Sequence, residues 1–311
     1  MIHANGVSVK YRKGQLDILK GINLKIQDGE MVALLGHNGS GKSTLMKCLT
    51  GVIKPTEGSI EIDGKDIFKE QKSFRTQFGV MFNQKPSFII DLKVMDNLIF
   101  FKEMYRLDDA VFKERLKICD AYLDIQALYE KQYRKLSYGE RTKCEIVSVL
   151  LHDPRYVFLD EPTNGLDIKS KKALYELLYK INKTSKATMI VVTHELEYLT
   201  EYFKRVIVLK KGEILYDADG KQMEFLMRQR SCLKVQYHQV IDGKIQLELK
   251  DSMRDMDEEA RTVSYIYDGE DEKRKMIHKI INAYNIQKIE EEGVGVKEVY
   301  EYLVEKNTSL R

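Results

Sequence analysis

The sequence predicts an α/β fold that carries an inserted helical block and a small α+β appendix. A glycine-rich run, GHNGSGKST, lies between the apolar segment MVALL and a segment with helical spacing. Helical spacing also dominates from about 94 to 152, between segments that are typical of strands. The pattern changes again beyond about 222, so we expect one domain at 1–221 and a second, accessory or regulatory, at 222–311.

The first part of the chain is predicted to be rich in strands. Alternation in VSVKY and INLKI and the turn residues DGE predict a β opening over residues 1 to about 30. Two further short strands are predicted from SIEIDG and FGVMF. Helices are then predicted from the helical spacing of apolar residues in DNLIFFKEMYRL, AVFKERLKICDAYL and ERTKCEIVSVLLH. Strands return with YVFLD, ATMIVVT and RVIVLKKGEILY, so the helical block is an insert within an α/β domain.

The appendix mixes short strands and helices. Strands are predicted from CLKVQYH, KIQLELK and TVSYIYDG, and IQKIEEEG is predicted to be a short strand that leads into a turn. Helices are predicted from DEKRKMIHKIINAYN and, at the end, VKEVYEYLVEK. The charged run DSMRDMDEEA is predicted to be a solvated loop or helix face. These elements indicate a scaffold that packs on the first domain or aids dimerisation, with a regulatory or ligand-sensing role as the alternative.

Charge and composition exclude some classes of partner. The 311 residues are 43% hydrophobic and 32% charged, which is ordinary for a soluble globular protein. Lys and Arg number 51 against 48 Asp and Glu, so the net charge is only +3. Such a balance gives no strong attraction to nucleic acid or acidic lipid, and we expect no nucleic-acid partner.

The sequence shows no sign of secretion or of a membrane span. No apolar run approaches the roughly 20 residues of a membrane helix, and the opening MIHANGVSVKY lacks a hydrophobic signal core. Four cysteines lie far apart without the spacing of a metal site, namely Cys48, Cys119, Cys144 and Cys232. We therefore expect reduced thiols and a cytoplasmic location.

The run from Gly36 to Thr44 matches the phosphate-loop pattern G-x-x-x-x-G-K-[ST], and we call it the phosphate loop. Its place between a strand and a helix is the context that the pattern requires. Glycine lets successive backbone N–H groups point at phosphate, and the helix adds the positive end of its dipole. Lys42 can reach the β- and γ-phosphates, and the Ser43 hydroxyl can bind Mg²⁺. A nucleotide site is therefore expected.

Polar side chains follow three of the predicted strands. Asp160 and Glu161 end one strand, where one carboxylate can hold Mg²⁺ and the other can accept a proton from an attacking water. His194 follows another strand and could donate a hydrogen bond to a γ-phosphate. Gln84 ends a third strand, where its amide could help bind a metal or water, although a lone glutamine is more often a polar turn residue.

A further anion site is suggested by LSYGE at residues 136–140, which we call the signature. Ser137, Gly139 and the start of the following helix could bind an anion. An ordinary helix N-cap explains the same residues equally well. The segment alone leaves both interpretations open.

In their order along the chain, these motifs resemble those of the ATP-binding subunit of ATP-binding-cassette (ABC) transporters. The resemblance covers about residues 1 to 220. It runs through Tyr11, the phosphate loop, Gln84, the helical insert, the signature, the acidic strand at 157–161, GLD at 165–167 and His194. Many ATPases share the phosphate loop, but few have LSxG before the acidic strand and then GLD and TH. The resemblance implies a RecA-like core, an antiparallel β subdomain and an inserted helical subdomain.

The resemblance implies that the chain binds ATP and Mg²⁺. Tyr11 would stack on adenine. The phosphates would be wrapped by Gly36, Asn38, Gly39, Ser40, Gly41, Lys42, Ser43 and Thr44. Mg²⁺ would be bound by Ser43, Gln84 and Asp160. The catalytic residues would be Glu161, which polarises the attacking water, and His194, which holds the γ-phosphate, together with Lys42 and Gln84.

The resemblance also implies a second copy of the chain. Ser137 and Gly139 would contact ATP held by that copy, and Asp167 would bridge the two, so that ATP binding closes a head-to-tail dimer and hydrolysis releases it. The usual signature of the family is LSGGQ, and this chain has Tyr138 and Glu140 at its third and fifth positions. An acid near the partner's phosphate would weaken closure, which leaves the rate of hydrolysis open.

The expected partner is a polytopic membrane subunit docked near Gln84 and the helical insert, at the cytoplasmic face of the membrane. The segment FNQKPSFIIDLKVMDNLIFFKEMYRL and the single cassette look most like exporters of drugs or peptides with separate membrane subunits. Importer subunits and soluble cassette ATPases are the alternatives. Translation ATPases usually have two cassettes, DNA-repair ATPases have a long coiled coil, and a non-hydrolysing binding module would lack Glu161 or His194.

Overall fold

The computed structural model describes residues 1–11, 16–82, 87–195, 198–219 and 230–293. The chain divides into two compact units, Met1–Gly220 and Lys221–Arg311. Gln84 and the predicted final helix VKEVYEYLVEK lie outside the described residues.

The described residues of the first unit form two sheets. Its strands are β1 (Ile2–Tyr11), β2 (Leu16–Ile26), β3 (Met31–Leu35), β4 (Glu57–Ile62), β5 (Lys65–Asp66), β6 (Phe78–Met81), β7 (Tyr156–Asp160), β8 (Thr188–Val192), β9 (Arg205–Lys210) and β10 (Glu213–Asp219). One sheet is antiparallel with the order β2-β1-β4-β5. The other has the order β10-β9-β3-β8-β7-β6 and is parallel except for β10.

Seven α-helices of the first unit lie among the described residues. They are α1 (Lys42–Leu49), α2 (Gln71–Arg75), α3 (Val94–Tyr105), α4 (Asp109–Leu123), α5 (Tyr138–Leu150), α6 (Ile168–Ser185) and α7 (Leu199–Tyr202). Helices α3, α4 and α5 fall in the block with helical spacing. The start of α4 is fixed by Asp108, whose carboxylate accepts a hydrogen bond from Ala110 N at 2.8 Å.

The parallel sheet places the polar strand ends at one edge. Strands β3, β7 and β8 are buried at every position, as expected for parallel strands covered on both faces. Because β3, β7 and β8 run in the same direction side by side, their carboxyl ends lie together. The residues that follow them, the phosphate loop, Glu161 and His194, therefore converge.

The second unit is built on an antiparallel sheet with the order β12-β13-β11-β14. Its elements are β11 (Arg230–Val240), α8 (Gly243–Glu248), β12 (Met253–Asp257), β13 (Thr262–Asp268), α9 (Gly269–Ala283) and β14 (Tyr284–Gly293). Alternate side chains of β11 and β13 join α9 residues in a separate core, which includes Leu233, Val235, Tyr265 and Ile280.

Two sequence predictions for this unit are wrong. The segment KIQLELK is mostly helix rather than strand, because the Asp242 carboxylate caps α8 by accepting a hydrogen bond from Lys244 N at 2.8 Å. The run DSMRDMDEEA contains strand β12, which pairs with β13 rather than forming a solvated loop or helix face. Both corrections come from contacts that hydrophobic spacing does not report.

All four cysteines are free thiols and buried. Burial raises the pKa of Cys48, Cys119 and Cys144 to about 12. Within the described residues there is no group of three or more His, Cys, Asp or Glu side chains that could hold a metal ion. Across the same part of the chain, no helix has the length and apolar character needed to cross a membrane.

Candidate nucleotide site

The phosphate loop is a tight turn between β3 and α1 that only glycine can form. Gly36, Gly39 and Gly41 have φ values of 147°, 80° and 106°, in the region that favours glycine. A Cβ on Gly36 would lie 2.5 Å from the Leu209 carbonyl oxygen, and one on Gly41 would lie 2.8 Å from Leu19 Cδ2. The glycines therefore serve both the backbone conformation and its close packing on neighbouring strands.

The loop leaves donors without internal partners. Gly41 precedes α1, and no side chain of the described residues caps this helix start. Within the same part of the chain, the buried hydroxyl of Ser40 has no hydrogen-bond partner. Uncapped N–H groups at a helix start and an unpaired hydroxyl form an anion site, so these residues fit a bound phosphate. Asn38 is exposed and Thr44 is half-buried.

Lys42 is a buried cation inside this loop. Its Nζ donates hydrogen bonds to the carbonyl oxygens of Gly36 at 2.6 Å and His37 at 3.0 Å. Burial lowers the pKa of Lys42, while the negative charges of Glu161 and Asp160 oppose that shift. The ammonium is thus held in the turn, where the negative charge of a bound phosphate would pair with it.

Asp160 and Ser43 are brought together across the carboxyl end of β7. The Ser43 hydroxyl donates a hydrogen bond to Asp160 Oδ2 at 2.7 Å. Burial raises the pKa of the Asp160 carboxyl, which the hydrogen bond from Ser43 partly offsets. A hydroxyl and a carboxylate are oxygen ligands of the kind that Mg²⁺ prefers, and Mg²⁺ commonly takes one or two protein ligands beside water and phosphate.

Glu161 and His194 also meet. Nε2 of His194 lies 2.9 Å from Glu161 Oε1. Glu161 has φ 53°, a strained value for a residue with a side chain. Its N–H donates to Val192 O at 3.0 Å, which holds this backbone to the end of β8. The strained turn aims the carboxylate at the edge where His194 follows β8.

The signature forms the start of α5. The Ser137 hydroxyl accepts a hydrogen bond from Glu140 N at 3.2 Å, and the Glu140 carboxylate accepts one from Ser137 N at 2.8 Å. This capping box explains the residues locally, as the N-cap interpretation allows. Glu140 also pairs with Lys131 at 3.1 Å. The hydrogen bond from Ser137 N, and then Lys131, lower the pKa of the Glu140 carboxyl.

The start of α5 packs closely on the loop that follows Glu161. A Cβ on Gly139 would lie 2.5 Å from Gly165 O, and one on Gly165 would lie 2.1 Å from the Tyr138 ring. Tyr138, which differs from the usual signature, thus covers Gly165 while staying 57% exposed. Asp167 caps α6 by accepting a hydrogen bond from Ser170 N at 2.9 Å. Its role between two copies stays a prediction.

Two predicted site residues are less closely defined by the structure. Tyr11 is exposed at the end of β1, directly before residues that the structure does not describe. Its stacking on adenine stays a prediction. Gln84 lies outside the described residues, so its role as a metal or water ligand also stays a prediction.

Sequence reasoning missed Asn164. Its Nδ2 donates a hydrogen bond to Glu161 Oε2 at 2.8 Å, while the other oxygen of the same carboxylate faces His194. The signal was visible as an amide three residues after the acid in EPTNGLD. Spacing alone does not show that the side chain turns back to the carboxylate, because a tight turn is needed to bring it there.

A family model and known proteins match this chain. A sequence model described as ABC transporter matches residues 19–164. A protein of Caldanaerobacter subterraneus described as an ABC transporter ATP-binding protein is 36% identical over 69% of this chain, and the match spans 37% of that relative's length. The energy-coupling factor transporter ATP-binding protein EcfA of Methanosphaera stadtmanae is 33% identical over 67% of this chain and 75% of its own length.

Solved structures show the same fold. The ATP-binding cassette MJ0796, described as dimeric and bound to ADP and Pi, matches with a TM-score of 0.64 and 28% identity over 70% of this chain and 98% of its own. The cbiO1 protein of Clostridium perfringens is described as part of the ABC transporter complex cbiONQ. It matches with a TM-score of 0.63 and 30% identity over 72% of this chain and 90% of its own. The chain therefore belongs to the ABC transporter family, as an ATP-hydrolysing ATP-binding subunit.

Proposed function

We propose that this chain hydrolyses Mg²⁺-ATP to drive transport through a separate membrane subunit. The observation that carries the proposal is the convergence of two pairs on the phosphate loop, Ser43 with Asp160 and Glu161 with His194. The first pair would hold Mg²⁺, which supplies charge neutralisation on the phosphates when bound. Glu161 would accept the proton of the attacking water, and Lys42 would bind the phosphates.

A groove of about 440 Å³ in the first unit supports a docking site for the membrane subunit. It is bordered by the end of α3 at Tyr105, by β6, and by Phe82, which is two residues before Gln84. Its apolar lining includes Phe74, Phe78 and Val80. On α3, Phe100 and Met104 are about half exposed, at 49% and 51%. Apolar surface beside the helical insert fits a short segment of a membrane protein.

The direction of transport is better described by the importer alternative than by the exporter expectation. Relatives are named energy-coupling factor transporter ATP-binding proteins, and one structural neighbour is part of the cbiONQ complex. These names favour import for this chain as well. They give no support to the export of a drug or peptide, which the segment FNQKPSFIIDLKVMDNLIFFKEMYRL and the single cassette suggested.

The partner can be identified with a trapped variant. Tagged Glu161→Gln protein would be expressed in its native cell, and membranes would be solubilised with ATP present. We expect a polytopic membrane protein in stoichiometric amount, and none in a parallel preparation from cells that lack the tagged protein. Recovery of ribosomes or DNA-bound proteins instead would support a soluble cassette ATPase and overturn the proposal.

Direction can then be measured in membrane vesicles that contain the recovered complex with this chain on the outside. An importer would carry its cargo out of such vesicles when ATP is added, and an exporter would accumulate cargo inside them. Mass spectrometry of the vesicle contents with wild-type and Glu161→Gln protein distinguishes the two. Accumulation that requires Glu161 would reinstate the exporter.

A further inference from the structure

The carboxylate of Glu161 is held at both of its oxygens. Oε1 lies 2.9 Å from Nε2 of His194, and Oε2 accepts a hydrogen bond from Nδ2 of Asn164 at 2.8 Å. A glutamate side chain has three rotatable bonds, so two anchors remove much of its freedom. His194 was predicted as a site residue, whereas the second anchor was not.

Asn164 is itself fixed by the turn and by the signature helix. Its N–H donates to Glu161 O at 3.2 Å, which closes the turn after the acid. Thr142 Oγ1, on α5, lies 3.0 Å from Tyr138 O and 3.3 Å from Asn164 O, so its single proton is shared between them. Asn164 is half-buried and Thr142 is buried, so both contacts are partly shielded from water.

We propose that Asn164 is a positioning residue that orients the Glu161 carboxylate for proton transfer from the attacking water. This inference rests on the proposed role of Glu161 as general base. In that reaction the water oxygen bonds to the γ-phosphorus, the bond to the β–γ bridging oxygen breaks, and the water proton passes to Glu161. The amide of Asn164 holds Oε2, so the carboxylate keeps one orientation toward the water.

The physical basis is that a side-chain amide is a neutral group that can donate a hydrogen bond to a carboxylate. A neutral donor fixes the geometry and leaves the carboxylate ionised and able to accept a proton. Replacement by aspartate keeps the shape and removes the donor. It also places a second carboxylate beside the first, and two such groups share a proton with a raised pKa for the pair.

The test compares Asn164→Ala and Asn164→Asp in the full chain with Mg²⁺-ATP. We expect kcat to fall about 10- to 100-fold in both, part of the roughly 100- to 10,000-fold that a positioned base contributes. ATP affinity, measured by titration, should stay within about twofold of wild type. The Asn164→Asp rate, relative to wild type at the same pH, should recover as pH falls, because the introduced carboxyl, once protonated, again donates a hydrogen bond to Glu161. The Asn164→Ala loss should not change with pH.

Asn23→Asp is the matched control, because Asn23 is exposed on β2 and the change in charge is the same. It should keep the wild-type rate. A kcat near wild type in both Asn164 variants would overturn the inference. So would equal, pH-independent losses, which indicate a packing role. Glu161→Gln is assayed alongside: if it hydrolyses ATP normally, the assignment of Glu161 fails, and if it is inactive while the Asn164 variants are normal, only Asn164 fails.

Discussion

Lys42 has opposite effects on folding and on ATP binding. Its ammonium is buried against two backbone carbonyls, and burial lowers its pKa because the charged form loses hydration. The same charge is what a triphosphate requires. The residue is therefore unfavourable for the empty loop and favourable for the occupied one, which is common where a site is preorganised for an anion.

Replacing Lys42 with alanine should remove nucleotide affinity. Losing charge-assisted hydrogen bonds of about 1.5–3 kcal/mol weakens binding roughly 10- to 100-fold. Titration with a fluorescent ATP analogue measures the change. Lys20→Ala, an exposed lysine on β2, should bind as wild type does. Unchanged affinity in Lys42→Ala would count against the phosphate loop as the nucleotide site.

Residue identities at the site were readable from sequence, but their side-chain partners were not. The glycines, Lys42 and the acid pair are recognised because their spacing fits strand, loop and helix. Nothing in the sequence states that Asn164 turns back to Glu161, which requires a tight turn, or that Thr142 reaches Asn164 O, which requires tertiary packing. Residues that act through another residue are the ones that pattern reasoning misses.

At the scale of elements, the start of α5 both caps its own helix and packs on the loop that follows Glu161. Its capping box uses Glu140, the residue that departs from the usual signature, to satisfy the N–H of Ser137. Its first five residues also contact Gly165 and the carbonyl oxygen of Asn164. The carboxylate expected to face a partner's phosphate is thus engaged within its own helix and by Lys131.

Glu140→Gln should reduce stability in a pH-dependent way. Glutamine can still cap, but it loses the charge, so we expect a loss of about 0.5 kcal/mol near pH 7. Because the folded state lowers the pKa of Glu140, its contribution is present above the ordinary value of 4.5 and is lost as pH falls through the lowered pKa. Urea midpoints over this range should therefore converge for variant and wild type.

The exposed Glu213→Gln is the control for that series, since Glu213 lies on β10 and not at a helix start. The urea midpoint of Glu213→Gln should match that of wild type at every pH. A stability difference for Glu140→Gln that does not change with pH would show that the ionised carboxylate contributes nothing to the cap.

Gly139→Ala should destabilise the chain although alanine favours helices. The gain of about 1 kcal/mol in helix propensity is outweighed because the new Cβ would lie 2.5 Å from Gly165 O, a backbone atom that cannot move freely. We expect a net loss of more than about 1 kcal/mol by urea unfolding, and reduced ATPase activity. Gly243→Ala in α8, where no described atom lies within 4 Å, should be neutral or stabilising. Equal stability of the two variants would contradict close packing of α5 on the loop.

The helices and strands of the first unit were predictable because the spacing of apolar residues in the sequence there agrees with the burial of each element. Strands such as β3 and β8 are short apolar runs, and the helical block has a sustained helical period. In the second unit KIQLELK alternates like a strand, yet Asp242 caps it into a helix. A single side chain can decide a six-residue element, so short amphipathic segments are where the pattern fails.

For the whole molecule, the proposed mechanism requires two copies. The signature of one copy would contact ATP bound at the phosphate loop of the other, as predicted from the family. Glu161→Gln with ATP should therefore become a dimer of twice 36.3 kDa, because hydrolysis no longer releases it. Size-exclusion chromatography with light scattering measures the mass.

The double variant Lys42→Ala/Glu161→Gln is the control for dimerisation and should stay monomeric with ATP. Wild type should dimerise only transiently. A Glu161→Gln protein that binds ATP yet stays a monomer would contradict ATP-driven association and leave the dimer contacts of Ser137 and Asp167 unsupported.

The four buried thiols have a practical consequence for following such motions. Three of them have a pKa near 12, so almost none is thiolate at neutral pH, and the thiolate is the reactive form. A single cysteine introduced at Ile168, which is 78% exposed beside Asp167, would then be modified by a maleimide dye with the native cysteines left in place. Fluorescence energy transfer between two labelled copies could report opening and closing during turnover.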